Sequence, residues 1–498
     1  MYLAFLNPQG NFDAKDSYWT GHPDFGGQLV YVKQVALALG ALGHRVDIIT
    51  RQIVDPQWPE FAAPFDAYPD APNVRIVRLP AGPQHFLPKE QLWPHLVRDW
   101  VPAILRFWAD EGRWPDVVTT HYGDGGLTGV LIEEARGIPF TFTGHSLGAQ
   151  KMDKLHVTRA NLAELDARYH FRERIFAERL SMNRSLVNIT STRQERFEQY
   201  GHPAYRGAVD VADDERFAVI PPGVALNIFD AQARGAQETA VIAHVEAMLA
   251  RDLSPERRAL PVIIASSRLD PKKNHLGLLQ AFAASPLLQE RANLVIITGA
   301  LADPLRDEAQ AGEGERGVLR QLREVMERAQ LWGRVSAFAL QGQSALAAAY
   351  RYFAQRPGSV FALTALYEPF GLAPLEAAAA GLPLVVTRNG GPSESLYGDG
   401  VEYGVLVDPA DPADIARGLE RLVMQPAAWE EFVRRGRQRV LERYTWERTA
   451  EGYVGHIARR LSQPVARSVE RLPLPAYFRQ PDDEHALPLE ALAEIYFA

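Results

Sequence analysis

The segment YLAFL at residues 2–6 and the segment RVDIIT at residues 45–50 are short apolar runs, and QLVYVKQVALALGAL at residues 28–42 between them repeats apolar residues at helical spacing. Two apolar strands joined by an amphipathic helix are typical of a strand-helix-strand unit, in which the strands lie parallel in one sheet. These first fifty residues therefore predict an α/β fold built around a parallel sheet.

The same alternation continues along the chain in two series. Further strands of the first series are predicted at residues 74–79, 117–120, 140–143 and 186–190, and those of the second at residues 217–220, 261–266, 293–298, 335–340, 360–364 and 384–387. A loop rich in Gly, Asp and Ala at residues 201–216 separates the two series. We therefore predict two doubly wound, Rossmann-like domains, residues 1–216 and 217–445, that face each other across a cleft and hold ligands at the carboxyl ends of their strands.

The last part of the chain, residues 446–498, contains an amphipathic helix at residues 450–461 and then a tail with several prolines and acidic residues. It is too short to form a further domain of the same kind. We expect it to pack back on the N-terminal domain.

Composition excludes several classes of protein. The formal net charge of -8 argues against nucleic-acid binding, which normally requires a basic excess. Cysteine is absent, so the chain has no disulfide, no thiolate nucleophile and no cysteine-ligated metal. No apolar run approaches the roughly 20 residues that span a bilayer, and the N-terminus has no basic region typical of a signal peptide. We therefore expect a cytoplasmic protein that binds neither nucleic acid nor membrane.

Gly26 and Gly27 stand between the first strand and the first long helix, at the predicted helix N-terminus. Without a Cβ atom, each lets a ligand approach backbone N–H groups at the positive end of the helix dipole. A plain glycine turn into a helix is the competing interpretation. The glycine pattern of a dinucleotide-binding turn is missing, which argues against a nicotinamide oxidoreductase.

The segment SRLDPKKN at residues 267–274 follows directly after a predicted strand of the second domain. Arg268 and Lys273 lie five residues apart on this loop, where both can reach one diphosphate and neutralise its charge as it departs. A solvated basic turn is the competing interpretation. Its position after an apolar strand favours a binding site.

Two carboxylates, Glu368 and Glu376, frame the segment EPFGLAPLE. Pro369 and Gly371 interrupt a continuous helix, so we place Glu368 on a loop and Glu376 inside the following helix, where the two acids meet different parts of one ligand. Backbone N–H groups near Leu372 begin that helix and are suited to a phosphate. Acidic residues are also common near helix starts, which is the alternative explanation.

Two histidine-bearing glycine loops, HYGDGG at residues 121–126 and TGHSLG at residues 143–148, each follow a predicted strand of the first domain. A single histidine is more often structural than functional. Two such loops at successive strand ends favour ligand contact, and His145 is the preferred candidate.

Together these motifs resemble those of the retaining GT-B glycosyltransferases of the sucrose-phosphate synthase and sucrose synthase group. The similarity rests on DFGGQ at residues 24–28, PPG at residues 221–223, SRLDPKKN at residues 267–274, and EPFGL with Glu376. GHSLG at residues 144–148 and KEQLWP at residues 89–94 are similar to the sucrose-phosphate synthase versions of the acceptor segments. The resemblance covers nearly the whole chain.

The resemblance implies a role for each matching residue. It implies that the first domain binds the acceptor, a sugar phosphate, and that the second binds the nucleotide-sugar donor. The implied catalytic residues are His145, Arg268, Lys273 and Glu368. The implied donor-binding residues are Gly27, Arg268, Lys273, Phe370, Gly371, Leu372 and Glu376. The implied acceptor-binding residues are Gly26, Gln28, Lys89, Tyr122, Ser146, Lys151, Arg172 and Arg174.

One position departs from the family pattern, which has consecutive arginines where this chain has Arg172, Glu173 and Arg174. A carboxylate beside a phosphate is unfavourable. Either Arg172 replaces the missing arginine from the adjacent position, or the acceptor differs from the family norm.

The implied reaction is retaining transfer of glucose from UDP-glucose or ADP-glucose to fructose 6-phosphate. The resemblance implies no metal site and no cofactor for the chemistry, with Mg²⁺ at most a stimulator, and a monomer or small homo-oligomer. The phosphatase-like extension of plant homologues is not expected. Three alternatives stay open: a sucrose synthase that uses free fructose, another hexosyl-phosphate synthase, and a catalytically silent sugar-nucleotide-binding protein.

Overall fold

The computed structural model describes residues 1–19, 24–299, 301–309, 311–463 and 468–497. Contacts between residues divide the chain into two compact units. The first unit comprises Met1–Pro221 together with Thr449–Ala498, and the second comprises Pro222–Arg448. Within the described ranges, no helix is long and apolar enough to cross a membrane.

The first unit contains an eight-stranded sheet in the order β3-β4-β2-β1-β5-β6-β7-β8. Neighbouring strands are parallel, except that β3 at the edge runs antiparallel to β4. The strands are β1 (Tyr2–Leu6), β2 (Arg45–Arg51), β3 (Phe65–Ala67), β4 (Val74–Leu79), β5 (Val117–His121), β6 (Phe140–Thr143), β7 (Val187–Thr190) and β8 (Phe217–Val219).

Helices cover both faces of this sheet, and all five residues of β1 and of β5, its central strands, are buried. The helices are α1 (Gly27–Ala41), α2 (Trp93–His95), α3 (Val101–Asp110), α4 (Tyr122–Arg136), α5 (Gly148–Lys154), α6 (Leu162–Tyr169) and α7 (Phe171–Arg184). The direction in which successive strands are added to the sheet reverses between β1 and β5, and we call this place the turn-back point of the sheet. The loops that follow these two strands therefore diverge and leave room for a ligand.

The position of β8 corrects the predicted domain boundary. We predicted that residues 217–220 begin the second domain, but β8 pairs in parallel with β7 and completes the edge of the first sheet. Its residue Phe217 packs edge-on against Tyr200 at 5.4 Å between ring centroids, inside the core of the first unit. The first unit therefore continues to Pro221 instead of ending at residue 216.

The second unit contains a six-stranded parallel sheet in the order β11-β10-β9-β12-β13-β16 and a short antiparallel pair, β14 and β15. The strands are β9 (Val262–Ser266), β10 (Asn293–Thr298), β11 (Val335–Ala339), β12 (Val360–Leu363), β13 (Leu384–Thr387), β14 (Tyr397–Gly398), β15 (Val401–Glu402) and β16 (Val405–Val407). The turn-back point of this order lies between β9 and β12.

Ten α-helices lie within the described residues of the second unit: α8 (Leu226–Phe229), α9 (Glu238–Asp252), α10 (His275–Ala284), α11 (Pro286–Arg291), α12 (Glu313–Arg328), α13 (Gln343–Ala354), α14 (Leu372–Ala379), α15 (Pro392–Ser395), α16 (Pro412–Met424) and α17 (Pro426–Arg443). The core between them is aliphatic, with Leu and Ile side chains of β9, β10 and α12 fully or almost fully buried. It is separate from the core of the first unit.

The chain ends with α18 (Trp446–Ser462), then residues 468–497, which we call the C-terminal segment, with α19 (Leu489–Tyr496) inside it. Tyr453 of α18 is fully buried, and its hydroxyl lies 3.0 Å from the hydroxyl of Tyr31. In the C-terminal segment, the backbone N–H of Leu472 donates to Asn183 Oδ1 at 2.9 Å, and the Tyr496 hydroxyl donates to Asp153 at 2.5 Å. Residues 449–498 thus belong to the first unit.

Candidate active site

A pocket in the first unit lies where the loop after β1 and the start of α4 diverge. Its two sides come from opposite sides of the turn-back point of the sheet. It is lined by Gln9, Lys89, Glu90, Trp93, Tyr122, Gly123, Asp124, Tyr169 and Arg174. Three of these, Lys89, Tyr122 and Arg174, are residues that the sequence predicted to bind an acceptor.

Two lysines lie at one side of this pocket: Lys89 lines it, and Lys151 lies beside its lining residues Glu90 and Tyr169. Lys89 donates to Asp24 Oδ1 at 2.8 Å. Lys151 Nζ lies 3.9 Å from Glu90 Oε1, which is too long for a hydrogen bond, and 3.9 Å from the ring centroid of Tyr169. Burial, and then the nearby charge of Arg174, lower the pKa of Lys151 to about 8. Burial is the larger cause, because removal from water disfavours the charged form of a lysine.

Arg174 is fixed in place at the edge of the same pocket. Its Nε donates to Glu178 Oε1 at 3.0 Å, one helical turn along α7, and its Nη2 donates to the carbonyl oxygen of Ser146 at 2.6 Å. Glu178 is fully buried and also accepts hydrogen bonds from the Gly148 N–H and from the Tyr205 hydroxyl. The carbonyl of Ser146, a predicted acceptor-binding residue, is therefore tied to the arginine that α7 contributes.

The structure does not bring Arg172 into the pocket. Its Nε donates to Asp166 Oδ2 at 2.6 Å, and its Nη1 donates to the carbonyl oxygen of Leu487 in the C-terminal segment at 2.8 Å. Glu173 is also absent from the lining; its carboxylate lies 3.6 Å from His170 Nδ1. The proposed exchange of Arg172 for the missing arginine is thus unsupported, and Glu173 does not place its charge against the pocket.

Gly26 and Gly27 start α1, with Gly26 at the N-cap position. A Cβ atom built on either glycine meets none of the described atoms within 4 Å, so packing does not require glycine here. Gln28 is buried in the same turn, where it donates to Asn7 Oδ1 and accepts from Gln9 Nε2 at 3.0 Å. These bonds join the N-terminus of α1 to the loop after β1.

Asp124 lines the pocket but was not singled out from the sequence. It is 5% exposed, and its Oδ1 accepts the Gly125 N–H at 2.7 Å. Burial raises the pKa of Asp124 to about 6. Neighbouring Tyr122 adopts a left-handed backbone conformation with φ of 61°. The two residues together turn the chain from β5 into α4 and line the pocket with a phenol and a carboxyl group.

His145 lies on the loop between β6 and α5, next to the fully buried His121 at the end of β5. The His121 Nδ1 atom is 2.9 Å from His145 Nε2, and the rings stack at 5.1 Å between centroids. Burial lowers the pKa of His145 to about 3, so this imidazole is neutral at pH 7. Such a ring acts as a hydrogen-bond partner of a ligand, not as a cation.

In the second unit, the predicted donor-site residues follow β9 and β12, which are neighbours on either side of the turn-back point. Lys273 Nζ donates to Glu368 Oε2 at 2.7 Å, and these side chains are 27% and 14% exposed. Arg268 is exposed beside a pocket of about 340 Å³ that Gly312, Gly314 and Glu315 also line. No ion pair of Arg268 occurs within the residues that the structure describes.

Asn274 holds the two loops of this site together. It has a left-handed backbone conformation, caps α10 by accepting the Gly277 N–H at 3.1 Å, and donates to the carbonyl oxygen of Thr364 at 3.0 Å. The Leu366 N–H donates to the carbonyl oxygen of Lys272 at 2.9 Å. The loop that carries Lys273 is therefore bonded directly to the loop that leads to Glu368.

Glu368 lies on a loop and Glu376 lies inside α14, as the sequence predicts. Gly371 has φ of 92° at the N-cap of α14, a conformation that favours glycine, and Leu372 is the first helical residue. Burial raises the pKa of Glu376 to about 7. The charged form of this carboxyl group is disfavoured because burial removes water from it.

Two glycines after β13 are required by packing against this loop. A Cβ on Gly390 would lie 2.1 Å from the carbonyl oxygen of Glu368, and one on Gly391 would lie 2.6 Å from the Cα of Phe370. The Glu368 N–H donates to the carbonyl oxygen of Asn389 at 3.0 Å. The sequence NGGP at residues 389–392 therefore shapes the segment that contains Glu368 and Phe370.

Several site residues escaped the sequence analysis for identifiable reasons. The spacing of four residues between Arg174 and Glu178 is a recognisable helical ion-pair signal that was not used. Asp124 stands in the segment HYGDGG at residues 121–126, but nothing in the sequence shows that it is buried near Lys89 and Arg174. The contact of Arg172 with Leu487 spans 315 residues and has no local signal.

Comparisons with known proteins identify the family of this chain. The model of the Glycosyl transferase 4-like domain matches residues 26–223, and that of the Glycosyl transferases group 1 family matches residues 251–439. A probable sucrose-phosphate synthase of Thermosipho melanesiensis is 43% identical over 457 residues, which are 92% of this chain and 96% of that relative. The chain belongs to the sucrose-phosphate synthase family. It is a glycosyltransferase of that type.

Other members differ in length and share the fold. Probable sucrose-phosphate synthase 5 of Oryza sativa is 32% identical over 95% of this chain, but the chain spans only 53% of that relative. The solved sucrose-phosphate synthase of Thermosynechococcus elongatus superimposes with a TM-score of 0.63 over 93% of this chain and 99% of that one, at 24% identity. The predicted α/β class, with two doubly wound GT-B domains, is confirmed for this member of the family.

Proposed function

We propose that this chain transfers glucose from a nucleoside diphosphate glucose, UDP-glucose in the first instance, to fructose 6-phosphate, giving sucrose 6-phosphate and the nucleoside diphosphate. The observation that carries the proposal is the cationic side of the first-unit pocket. Lys89 and Arg174 line it, and Lys151 lies beside its lining residues Glu90 and Tyr169, with a pKa that burial and the charge of Arg174 lower to about 8. Cationic side chains of this kind are suited to bind a phosphate dianion, whereas free fructose has no charge to offer.

For the donor, the proposal places the diphosphate beside the loops after β9 and β12. Arg268 has no ion pair within the described part of the chain, and Lys273 shares its charge with Glu368 at 2.7 Å. Two cations beside a departing diphosphate stabilise the negative charge that grows in the transition state. The backbone N–H groups at the start of α14 supply further donors, and Glu376 is suited to accept hydrogen bonds from ribose hydroxyls.

In the proposed chemistry the acceptor hydroxyl attacks the anomeric carbon from the face that the diphosphate leaves. The bond from this carbon to the phosphate oxygen breaks, the bond to the acceptor oxygen forms, and the acceptor proton passes to the departing phosphate oxygen. Glu368 is ion-paired with Lys273, so we assign it to orienting the lysine and the hexose instead of to attack on the sugar. The cations Arg268 and Lys273 carry the electrostatic role, and we propose that the chemistry needs no metal ion.

A matrix of donors and acceptors tests the proposal. UDP-, ADP- and GDP-glucose are each combined with fructose 6-phosphate and with fructose, with and without EDTA, and nucleoside diphosphate release is measured. We expect the fastest release with fructose 6-phosphate, sucrose 6-phosphate with retained anomeric configuration by NMR, and activity in EDTA. A preference for free fructose would indicate a sucrose synthase, and release that needs no acceptor would contradict synthesis of a disaccharide phosphate.

Lys151→Gln provides a sharper test, with Lys154→Gln on the exposed side of the same helix as the control. Loss of one charge-assisted phosphate contact raises KM for fructose 6-phosphate roughly 10- to 100-fold. Because Lys151 is charged only below its pKa of about 8, the wild-type KM should also rise above pH 8, and this rise should disappear in Lys151→Gln. An unchanged KM in this variant would refute the assignment of the pocket.

A further inference from the structure

The fully buried His121 has no place in the proposed chemistry, yet it touches His145 directly. Its Nδ1 lies 2.9 Å from His145 Nε2. The His121 ring stacks on Phe5 at 5.6 Å with an interplanar angle of 13°. Its other nitrogen, Nε2, is buried and has no hydrogen-bond partner among the described residues. A histidine that only fills the core would be expected to satisfy both nitrogens or to be replaced by an apolar ring.

The backbone does not by itself fix the direction of the His145 ring. His145 has a left-handed conformation, with φ of 54°, in a loop, and its neighbour Ser146 is exposed. The ring is held from the side by Tyr31, which meets it edge-on at 5.0 Å, and by stacking on His121. The hydrogen bond to His121 is the polar contact that sets the rotation of the His145 ring about its Cβ–Cγ bond.

This hydrogen bond also determines which nitrogen of His145 can meet a ligand. Burial lowers the pKa of both rings, so each is neutral at pH 7 and carries one N–H and one lone pair. The shared bond uses Nε2 of His145, whichever ring donates. Only Nδ1 of His145 is left for a ligand.

The partnerless Nε2 of His121 indicates which ring donates. If His145 donated, His121 would carry its proton on Nε2 and bury an unpaired N–H. If His121 donates from Nδ1, its buried Nε2 is a bare lone pair. Buried N–H groups without a partner are rarer in proteins than under-satisfied acceptors, so the second arrangement is favoured. His145 then carries its own proton on Nδ1.

We propose that His121 is a positioning residue that donates from Nδ1 to His145 Nε2 and thereby presents the Nδ1–H of His145 as a hydrogen-bond donor to a hydroxyl of the transferred sugar. The last step rests on the proposed function, in which His145 contacts that sugar. The tautomer itself is a property of the protein without ligand. The two parts are therefore measured separately.

Three variants of the full chain separate hydrogen bonding from packing. His121→Asn keeps an N–H donor close to the position of Nδ1, His121→Gln moves the amide toward the position of Nε2, and His121→Phe keeps the stacking on Phe5 without any donor. With UDP-glucose and fructose 6-phosphate, we expect kcat within about threefold of wild type for His121→Asn and about 10- to 100-fold lower for the other two, because a misplaced contact group weakens positioning by such factors. KM for fructose 6-phosphate should change little.

The tautomer is measured on the ligand-free protein by ¹⁵N NMR with labelled histidine ring nitrogens, and His145 is assigned by its loss in His145→Gln. We expect Nδ1 protonated in wild type and in His121→Asn, and a shift toward Nε2 protonation in His121→Phe. Protonation on Nε2 in wild type, or the same tautomer in His121→Phe, would overturn the proposal. If His121→Phe does not fold, the wild-type tautomer and His121→Gln decide the question. Failure of transfer to fructose 6-phosphate with the expected tautomers would count against the proposed function alone.

Discussion

Arg172 and Arg174 are two residues apart on α7 but belong to different contacts. Arg172 joins Asp166, which is 2% exposed, to the C-terminal segment, whereas Arg174 lines the pocket and is held by Glu178. Neighbouring residues on a helix point about 100° apart, so residues two positions apart face nearly opposite sides. The sequence suggested a phosphate contact for both arginines because it shows their proximity and not their direction.

This difference gives a prediction for a matched pair of variants. Arg172→Gln should lower the free energy of unfolding by about 2 kcal/mol, because a buried carboxylate loses a charged hydrogen-bond partner. Its KM for fructose 6-phosphate should stay within about threefold of wild type, whereas Arg174→Gln should raise that KM roughly 10- to 100-fold. Urea unfolding and steady-state kinetics measure both. Equal KM effects in the two variants would show that Arg172 binds the acceptor after all.

Glu376 should make the ligand-free protein less stable at neutral pH. Burial raises its folded-state pKa from 4.5 to about 7, so its ionisation favours the unfolded chain, and this cost develops as pH rises from about 4.5 to 7. Glu376→Gln should therefore stabilise the protein by about 1 to 3 kcal/mol at pH 8 and by little at pH 4.5. It should also raise KM for the nucleotide sugar, because the proposed ribose contact weakens.

Thermal unfolding at several pH values measures this effect, with the exposed Glu430→Gln on α17 as the control. The gain in Tm should grow with pH in Glu376→Gln and stay flat in the control. A gain that is independent of pH would show that the carboxyl group is not responsible.

At the scale of elements, the N-terminus of α1 is a place where packing does not require glycine but the proposed ligand contact does. Gly26 and Gly27 have open space where a Cβ would lie. Alanine at Gly27 should therefore leave Tm unchanged or raise it slightly, since alanine favours helix over glycine by up to about 1 kcal/mol. Activity should fall at least about tenfold, because the methyl group blocks the approach of a ligand to the backbone N–H groups.

Gly455→Ala on the exposed side of α18 is the matched control, since a Cβ there also meets none of the described atoms within 4 Å. It should leave activity unchanged. Full activity in both Gly26→Ala and Gly27→Ala would show that these glycines only form a turn.

The elements that the sequence predicted correctly are the long apolar ones. Strands β1, β9, β10 and β12 lie within one residue of their predicted ranges, because each is a buried run between turn residues. The strands that it missed, β3, β14, β15 and β16, have only two or three residues each, too few for a recognisable pattern. Their existence depends on a partner strand: β3 pairs antiparallel to β4, β16 pairs with β13, and β14 and β15 pair with each other.

The candidate site likewise has features that the sequence predicted and features that it missed. The sequence placed Lys273 on a loop after a strand and Glu368 on a loop before a helix, and the strand order of the sheet brings these two loops together. It did not reveal the hydrogen bond between His121 and His145 or the strained turns at Tyr122 and His145. Those depend on side-chain directions, which a single sequence does not encode in any short pattern.

At the scale of the whole molecule, the first unit is discontinuous in sequence and depends on the end of the chain. The fully buried Tyr453, Phe478 and Leu492 all come from residues 449–498 and belong to the first unit. Each large buried side chain of this kind contributes about 3 to 5 kcal/mol. Removal of residues 449–498 should therefore unfold the first unit and spare the second, whose residues 222–448 are continuous.

Hydrogen exchange followed by mass spectrometry measures this outcome. Protection should be lost across residues 1–221 and retained across residues 222–448, while Tyr453→Phe, which removes only a hydroxyl, should keep both. Persistent protection of the first unit in the truncated chain would show that its core is complete without the C-terminal residues.

The same discontinuity has a consequence during synthesis. All strands of the eight-stranded sheet are synthesised once residue 219 is made, but Tyr453 and Phe478 follow only after roughly 230 or more further residues, a delay on the order of 10 to 50 seconds at typical translation rates. Throughout that interval the nascent first half exposes the apolar surface that Tyr453 and Phe478 later cover. Because exposed apolar surface favours aggregation, we expect the growing chain to need holding chaperones during that interval.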